Sequence, residues 1–325
     1  MRAIIPVAGV GTRLRPHTYT LPKVLLNVAG KPILGHILDA LYNQGITKTT
    51  IVTGYMGKLV EEYVRSKHNL DVSFIPQKSS LGLGHAIWVA KETFDDEPLI
   101  IVLGDTIFDF DFSASINSGY SSIGVKEVDD PRRFGVVRLN GKGFITEFVE
   151  KPEKFISNNA IVGLYYIENP RLLSECLDEL ISKDIKTREE YQLTDALQLM
   201  LNKGEKFKTF AVDGWYDCGK PETLLSTNRY LLDRNPESEP LNDVVIIPPS
   251  FIAPNTVIQR SVIGPYATVA DGATVVDSLV RDSIISDGAT VTSSLLEKSI
   301  IGNNAIVNGH FYHLNVGNSS EINFK

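Results

Sequence analysis

The sequence predicts an α/β fold built on a mixed, mostly parallel sheet and followed by a short parallel β-helix. Two observations predict it. Strand and helix patterns alternate over residues 4–103, which is typical of a parallel sheet crossed by helices. Towards the end of the chain, aliphatic side chains recur every six positions, which is typical of stacked β-helix coils.

The alternating part opens on an apolar run at residues 4–7, which predicts a buried strand. Further strands are predicted at 49–53, 72–76 and 99–103, and helices at 32–44, 57–67 and 84–93. Pro32 suits a first helical turn and Gly45 a helix C-cap, which places both ends of the first helix.

From about residue 121 the pattern becomes rich in strands, predicted at 122–128, 135–139 and 144–150. Helix returns over 170–203, a last strand is predicted at Ala211 and Val212, and a closing helix at 221–233. Residues 234–240 are polar and carry two prolines, which predicts a linker. The predicted domains are therefore residues 1–235 and 236–325.

The repeat of the second domain begins with Val257, Ile263, Val269 and Val275, each six residues after the last. It continues through residues 285, 291, 301 and 307, with some repeats shortened, so three to four coils are expected. A β-helix exposes the edge of its last coil, and terminal repeats need a cover. Either the tail 311–325 or a neighbouring subunit would supply it, so we expect a homo-oligomer.

Composition excludes several classes of function. The chain has 325 residues, 43% of them hydrophobic and 22% charged, with a net charge of −7. That charge argues against a nucleic-acid or anionic-membrane partner held by bulk electrostatics. Only Cys176 and Cys218 are cysteines, and no apolar stretch is as long as the roughly 20 residues of a membrane span. We therefore expect a cytoplasmic protein.

The loop after the first strand has the composition of an anion site. Gly9 and Gly11 permit close approach of the backbone, and exposed N–H groups in such a turn bind anions. Arg13 and Lys23 add a guanidinium and an ammonium for phosphate oxygens. The spacing is neither a Walker A motif nor a dinucleotide fingerprint, since Leu14 stands where the latter needs glycine. An ordinary glycine turn remains the alternative.

Two carboxylates follow predicted strands. Asp105 comes directly after the most apolar strand, and Asp217 comes just after another. Strand ends at the carboxyl edge of an open sheet face the ligand crevice, and paired carboxylates there are suited to Mg²⁺ beside a polyphosphate. Alone, each aspartate would be a turn residue or a helix N-cap.

Two further segments carry candidate binding groups. Glu150 and Lys151 end a strand before a proline, where a rim lysine suits a second phosphate and the glutamate a sugar hydroxyl. A solvated charge pair is the alternative. Gln77 and the glycines of residues 81–86 suit hydrogen bonding to the edge of a base.

Residues 2–235 resemble the sugar-1-phosphate nucleotidyltransferases, in particular the glucose-1-phosphate thymidylyltransferases and uridylyltransferases. The motifs that carry this resemblance are Gly9-x-Gly11-Thr12-Arg13-Leu14-x-Pro16, Pro22-Lys23, Gln77, Leu81-Gly82-Leu83-Gly84-His85-Ala86, Leu103-Gly104-Asp105, Phe134-Gly135-Val136-Val137, Glu150-Lys151-Pro152, Val162-Gly163-Leu164-Tyr165, Leu193-Thr194-Asp195 and Trp215-x-Asp217-x-Gly219. Residues 245–309 resemble the left-handed β-helix that many of these enzymes append. The implied fold is a Rossmann-like mixed sheet followed by that β-helix.

The resemblance also implies roles. The residues it assigns to the nucleotide are Ala8, Gly9, Gly11, Thr12, Arg13, Lys23, Gln77 and Gly82. Those it assigns to the sugar phosphate are Gly135, Glu150, Lys151 and Tyr165, with Asp105 and Asp217 holding Mg²⁺. In the implied reaction, an oxygen of glucose 1-phosphate attacks the α-phosphorus of dTTP or UTP and expels pyrophosphate. Such chemistry asks mainly for positioning and charge neutralisation.

Three positions depart from the family pattern: Val10 replaces the second of two adjacent glycines, Thr106 replaces an asparagine, and Gln192 replaces a glutamate. The base remains thymine or uracil, and the sugar remains open. Two other functions are compatible with the resemblance. One is a non-catalytic regulatory subunit that binds sugar nucleotides, and the other is a bifunctional enzyme whose β-helix transfers an acyl group from acyl-CoA.

Overall fold

The computed structural model describes residues 1–68, 70–234 and 241–323. The chain divides into two compact units. The first unit comprises Met1–Leu26 and Lys31–Thr227, and the second comprises Asn27–Gly30 and Asn228–Lys325. Apart from Arg234, the predicted linker lies outside the described residues, and so does the predicted boundary between residues 235 and 236.

Up to residue 103 the main strands and helices alternate as the sequence predicts, and from residue 121 strands predominate before helix returns at residue 170. The strands are β1 (Arg2–Pro6), β2 (Asn27–Val28), β3 (Lys31–Pro32), β4 (Lys48–Thr53), β5 (Asp71–Pro76), β6 (Leu99–Val102), β7 (Thr106–Asp109), β8 (Ser121–Glu127), β9 (Gly135–Leu139), β10 (Ile145–Glu150), β11 (Asn159–Ile167), β12 (Phe207–Ala211) and β13 (Gly214–Asp217). The helices are α1 (Ile33–Asn43), α2 (Gly57–Lys67), α3 (Leu83–Val89), α4 (Ser113–Ile116), α5 (Pro170–Ser182), α6 (Leu193–Asn202) and α7 (Pro221–Asp233).

The main sheet of the first unit has the strand order β10-β9-β11-β6-β1-β4-β5; in addition, β8 pairs with β11, and β12 pairs with β8. Its half from β6 to β5 is parallel, and β11 joins that half antiparallel to β6. The apolar strand residues are buried, as the continuous run Leu99–Val102 illustrates with every side chain fully buried. The predicted mixed, mostly parallel sheet is confirmed.

Three expectations within this unit are wrong in detail. Helix does not run through 170–203, because residues 183–192 separate α5 from α6; their charged sequence lacks the apolar stripe that a packed helix needs. The sequence did not predict β11, which is apolar throughout. Asp217 does not follow a strand but ends β13, which pairs antiparallel with β7.

The second unit contains three four-stranded parallel sheets, whose strands follow one another around successive coils. The strands are β14 (Val244–Ile246), β15 (Ser250–Ile252), β16 (Val257–Gln259), β17 (Ser261–Ile263), β18 (Ala267–Val269), β19 (Thr274–Val276), β20 (Leu279–Arg281), β21 (Ile284–Ile285), β22 (Thr290–Thr292), β23 (Leu295–Glu297), β24 (Ile300–Ile301) and β25 (Ile306–Asn308). This arrangement of four coils is consistent with the predicted left-handed β-helix.

The coils are shorter than three full hexapeptides. Val244 pairs with Ser261, 17 residues on, whereas Ile284 pairs with Ile300, 16 residues on. The predicted shortening of some repeats is therefore confirmed. Inside the coils the aliphatic residues of the repeat are fully buried, including Val275 and Ile285.

The described part of the tail does not cover the last coil. Residues 309–323 form neither helix nor strand, and all of them are exposed. Leu295 and Ile306 on the last coil are 83% and 69% exposed. In the ranges that the structure describes, no helix combines the length and the apolar character needed to span a bilayer.

Truncation of the β-helix interior is expected to destabilise the protein. Ile285→Ala empties a fully buried position, which costs about 2–5 kcal/mol of the free energy of unfolding. Urea unfolding followed by circular dichroism measures the change. The matched control is Val245→Ala at an exposed position of the first coil, for which a change of about 0.5 kcal/mol or less is expected. Equal effects of the two substitutions would contradict this packing.

Candidate functional site

The predicted site residues lie at the carboxyl edge of the main sheet. β1 ends before Ala8 and Gly9, β5 ends before Gln77, and β6 ends shortly before Asp105. Parallel strands present their carboxyl ends at one edge, so these loops converge there. Three cavities adjoin at this edge, and Leu103 lines all three.

The first cavity has a volume of ≈ 300 Å³ and collects six of the predicted residues. Its lining residues are Pro6, Val7, Ala8, Gly9, Lys23, Val24, Gln77, Ser80, Gly82, Leu83, Ala86, Leu103, Asp105 and Glu190. A Cβ added at Gly9 would meet no heavy atom of the described residues within 4 Å. The backbone of Gly9 thus faces open space, as an anion-binding turn requires.

Gln77 lines the same cavity. It is 8% exposed, and its Nε2 lies 3.3 Å from the Gly82 carbonyl oxygen and 2.9 Å from His85 Nδ1. Among the described residues, no donor faces Gln77 Oε1, so that oxygen is available to a ligand N–H. Burial lowers the pKa of His85, which favours the neutral ring as the acceptor of the Gln77 amide.

Gly82 is required by its backbone conformation. Its φ is 105°, in the region that side chains disfavour, and a Cβ there would lie 2.6 Å from the Tyr191 carbonyl oxygen. The Gly84 N–H donates to that same carbonyl at 2.7 Å, which fixes the loop 81–84 against Tyr191.

Lys23 and Asp105 form the central ion pair of the site. Lys23 Nζ donates to Asp105 Oδ2 at 2.7 Å, and the Lys23 side chain is only 7% exposed against 43% for Asp105. Thr106 Oγ1 donates to the other carboxylate oxygen at 3.3 Å. A buried ammonium needs such a partner, so the pair fixes the carboxylate at the mouth of two cavities.

The second cavity, of ≈ 550 Å³, brings Arg13 and Asp217 beside Asp105. An added Cβ at Gly219 would lie 2.8 Å from both Arg13 Nη2 and Asp217 Oδ1, so this glycine makes room for both groups. The pairing of β13 with β7 sets Asp217 opposite Thr106, the neighbour of Asp105. The two carboxylates that lie 112 positions apart in the sequence therefore face one cavity.

The third cavity is the smallest, at ≈ 160 Å³, and holds Gly135, Glu150 and Tyr165. Thr194 Oγ1 donates to Glu150 Oε2 at 2.8 Å, and a Cβ at Gly135 would crowd both of these oxygens. Burial, with the Glu150 charge, raises the pKa of Tyr165, so its phenol stays protonated. Lys151 Nζ lies 3.3 Å from Glu150 Oε1.

Three predicted residues line none of these cavities. Lys151 touches the third only through Glu150. Gly11 has φ 69° and accepts a hydrogen bond from Thr18 Oγ1 at 2.8 Å, so it shapes the loop that carries Arg13. Thr12 begins the short 3₁₀ turn of that loop and is exposed.

Sequence reasoning gave no role to several polar lining residues, among them Arg133, Glu190 and Gln192. Arg133 lines the second and third cavities, Glu190 the first and Gln192 the third. Arg133 directly precedes the Phe134-Gly135 motif, and this position in the sequence indicates that it lies near the site. Gln192 stands out in the sequence only as a departure from the family pattern, which gives it no role. Glu190 lies in the charged stretch for which the sequence predicts helix, and no signal points to it.

The donor set of this site fits a magnesium ion held beside phosphate. Among the ranges that the structure describes, no cluster of three or more metal-binding side chains occurs. Mg²⁺ commonly uses one or two carboxylates and completes its shell with water and substrate phosphate. Asp105 and Asp217 would provide those carboxylates, and Arg13 and Lys23 would provide positive charge for the phosphates.

Known proteins share this architecture. Low-salt glycan biosynthesis nucleotidyltransferase Agl11 of Haloferax volcanii is 33% identical over 72% of this chain, which spans 66% of that relative's length. Glucose-1-phosphate thymidylyltransferase of Streptomyces griseus is 29% identical, over 88% of this chain and 87% of that protein. The crystal structure of UDP-glucose pyrophosphorylase complexed with UDP-glucose superposes with a TM-score of 0.63 and 26% identity, covering 72% of this chain and 98% of that one.

The family model described as Nucleotidyl transferase matches residues 2–234, which contain the whole main sheet and all three cavities. The chain belongs to the nucleotidyl transferase family.

Proposed function

We propose that this chain is a sugar-1-phosphate nucleotidyltransferase that joins UTP or dTTP to glucose 1-phosphate and releases pyrophosphate. One observation carries the proposal: Asp105 lines both the first and the second cavity while it is paired with Lys23. A nucleotide in one cavity and a sugar phosphate in the others would thus meet beside the same carboxylate.

The first cavity suits the nucleoside triphosphate. Gln77 Oε1 and the Gly82 backbone offer groups for a pyrimidine edge, and the Gly9 turn offers N–H groups for phosphate oxygens. Lys23 and Arg13 reduce the repulsion between the triphosphate and an incoming anion. This arrangement favours a pyrimidine base and does not separate UTP from dTTP.

The third cavity suits the hexose. Glu150 presents a carboxylate for sugar hydroxyls and is oriented by Thr194. Gly135 leaves the room in front of that carboxylate. Lys151 and Arg133 lie at the edge of the cavity, where they would hold the sugar phosphate and direct it towards the nucleotide.

The reaction needs no covalent intermediate. An oxygen of the sugar phosphate would attack the α-phosphorus in line with the departing pyrophosphate, and the side chains position both substrates. Mg²⁺ at Asp105 and Asp217 would supply charge to the phosphate oxygens. Cys218 is the nearest thiol, but burial raises its pKa to about 12, so it is not a nucleophile.

The names of the relatives support this proposal. They include a glucose-1-phosphate thymidylyltransferase and a UDP-glucose pyrophosphorylase. A regulatory relative without activity would have no need for Arg13, Lys23, Asp105, Lys151 and Asp217 together.

Pyrophosphate release from a panel of nucleoside triphosphates and sugar 1-phosphates, with Mg²⁺, tests the proposal. No release from any pair of substrates would refute it.

Loss of either aspartate is expected to stop the reaction. Asp105→Asn and Asp217→Asn each remove a negative charge while keeping size and an oxygen, so turnover should fall by about 100-fold or more. Asp217→Asn should leave the fold intact, whereas Asp105→Asn also removes the ionic partner of the buried Lys23 and should lower the stability. Pyrophosphate release gives the rate, and circular dichroism monitors the fold. The control is Asp71→Asn, an exposed residue at the opposite end of a parallel strand. Near-normal rates in both site variants would remove the metal assignment.

Glu150→Ala is expected to affect the sugar phosphate selectively. Because Glu150 lines the third cavity and not the first, KM for glucose 1-phosphate should rise about tenfold or more, while KM for the nucleotide changes little. Initial rates with each substrate varied in turn separate the two constants. Glu153→Ala, an exposed position three residues on, is the control. A rise confined to the nucleotide KM would contradict this assignment.

We further propose that the chain forms a homo-oligomer through its β-helix, since the apolar side chains of the last coil are exposed in a single copy. Light scattering of the full chain should give a mass of at least twice 35.9 kDa. A Leu295→Lys, Ile306→Lys double variant should lower that mass. A monomeric wild-type protein would contradict the proposal.

A further inference from the structure

Glu190 is a carboxylate in the first cavity to which the reaction described above gives no task. It lines that cavity together with Gln77 and Gly82, whereas Asp105 is the other carboxylate there. An added Cβ at Gly82 would lie 2.9 Å from Glu190 Cβ, so Glu190 stands next to the base-reading loop. Its position at the nucleoside end of the cavity calls for a ligand group that donates hydrogen bonds.

The turn that carries Glu190 is held in a fixed shape. Thr187 and Glu190 exchange backbone hydrogen bonds of 3.0 and 3.3 Å around Arg188 and Glu189. Both central residues have positive φ, 56° and 63°, in a tight turn that usually takes Asn-Gly. Two non-glycine residues in this conformation are costly and persist only where the surroundings impose them, most often at binding sites.

The contacts that hold this turn reach residues beside both the third and the first cavity. Arg188 Nη2 donates to the Lys151 carbonyl oxygen at 2.9 Å, next to Glu150. The Tyr191 N–H donates to the Leu81 carbonyl oxygen at 2.9 Å, next to Gly82. The turn is therefore tied to the rim of the third cavity and to the base-reading loop of the first.

Gln192 orients the Glu190 carboxylate. It is 5% exposed and lines the third cavity, and its Nε2 donates to Glu190 Oε2 at 3.0 Å. A glutamate at this position, as in many thymidylyltransferases of the resemblance described above, would repel Glu190 instead. Among the described residues, no donor faces Glu190 Oε1, so one oxygen is held by the protein and one is open to a ligand.

Few groups of a pyrimidine nucleotide can donate a hydrogen bond to Glu190 Oε1. Phosphate oxygens are anionic acceptors, so they cannot pair with a carboxylate. The base of UTP or dTTP has one donor, N3–H, and Gln77 Oε1 already stands open to it. The remaining donors of the nucleotide are the hydroxyls of its sugar ring. In dinucleotide-binding folds, an acidic side chain near the phosphate site at a helix N-terminus accepts a hydrogen bond from a ribose hydroxyl.

We propose that Glu190, oriented by Gln192, accepts a hydrogen bond from a ribose hydroxyl of the nucleotide and thereby selects nucleotides that carry it. This inference rests on the proposed function, because it takes the first cavity as the nucleotide site. It makes Glu190 a specificity-determining residue, and Gln192 a positioning residue that links the sugar cavity to the nucleotide cavity.

Equilibrium binding tests the inference without turnover. Calorimetry would compare UTP with 2′,3′-dideoxy-UTP on the full chain, with Mg²⁺ and without sugar phosphate. The wild-type protein should bind UTP about tenfold or more tightly, because a hydrogen bond to a charged group is lost with the hydroxyls. 2′-Deoxy-UTP, as a third ligand, assigns the effect to one of the two hydroxyls.

Glu190→Ala should reduce the ratio of the two dissociation constants, dideoxy-UTP to UTP, to about threefold or less. The substitution should weaken the binding of UTP, while the dideoxy nucleotide binds about as before. Glu190→Gln keeps an acceptor oxygen and should retain part of the ratio. Glu189→Ala, in the same turn but outside the cavity lining, should leave the ratio unchanged.

Three results would overturn the inference: a ratio near one in the wild-type protein, an equal loss of both nucleotides in Glu190→Ala, or no binding of either nucleotide. Failure of the proposed function is a separate result. A protein that binds UTP with the expected ratio, yet releases no pyrophosphate from any substrate pair, would refute that function and retain the assignment of Glu190.

Discussion

The ion pair between Lys23 and Asp105 is the constraint on which the site depends. An ammonium as buried as that of Lys23 is stable only with a partner, and Asp105 is that partner at 2.7 Å. The pair joins the loop after β1 to the loop after β6, so two neighbouring parallel strands deliver their ends to one point. Around this point lie the cavities that we propose for the nucleotide and for the second substrate, and Arg13 and Asp217 line the second of them.

Much of this could be predicted from the sequence because the signals are local. An apolar strand followed directly by Gly-x-Gly or by Gly-Asp indicates both the strand and the position of its end, and parallel strands bring such ends together. The six-residue period of Val257, Ile263 and Val269 likewise indicates the β-helix, since each coil must bury an aliphatic layer. The shortened coils were also visible, because the period slips where the coil length falls to 16 residues.

The features that escaped prediction depend on contacts between distant segments. Asp217 reaches the site through the antiparallel pairing of β13 with β7, and neither strand has a pattern of its own that reveals this partner. The turn at residues 187–190 is charged, and the sequence predicts helix there. Its shape comes from hydrogen bonds to Lys151 and Leu81, which no local pattern records, so the position of Glu190 and its contact with Gln192 are visible only in the folded chain.

The proposed function requires that the nucleotide and the sugar phosphate bind together in the adjoining cavities and react directly. Exchange of radiolabelled pyrophosphate into UTP measures this, on the full chain with Mg²⁺ and with or without glucose 1-phosphate. Direct transfer predicts that label enters UTP when glucose 1-phosphate is present and that none enters when it is absent. Rapid incorporation without any sugar phosphate would require a nucleotidyl group on the protein itself, and it would contradict the arrangement described for Asp105, Lys23 and the cavities around them.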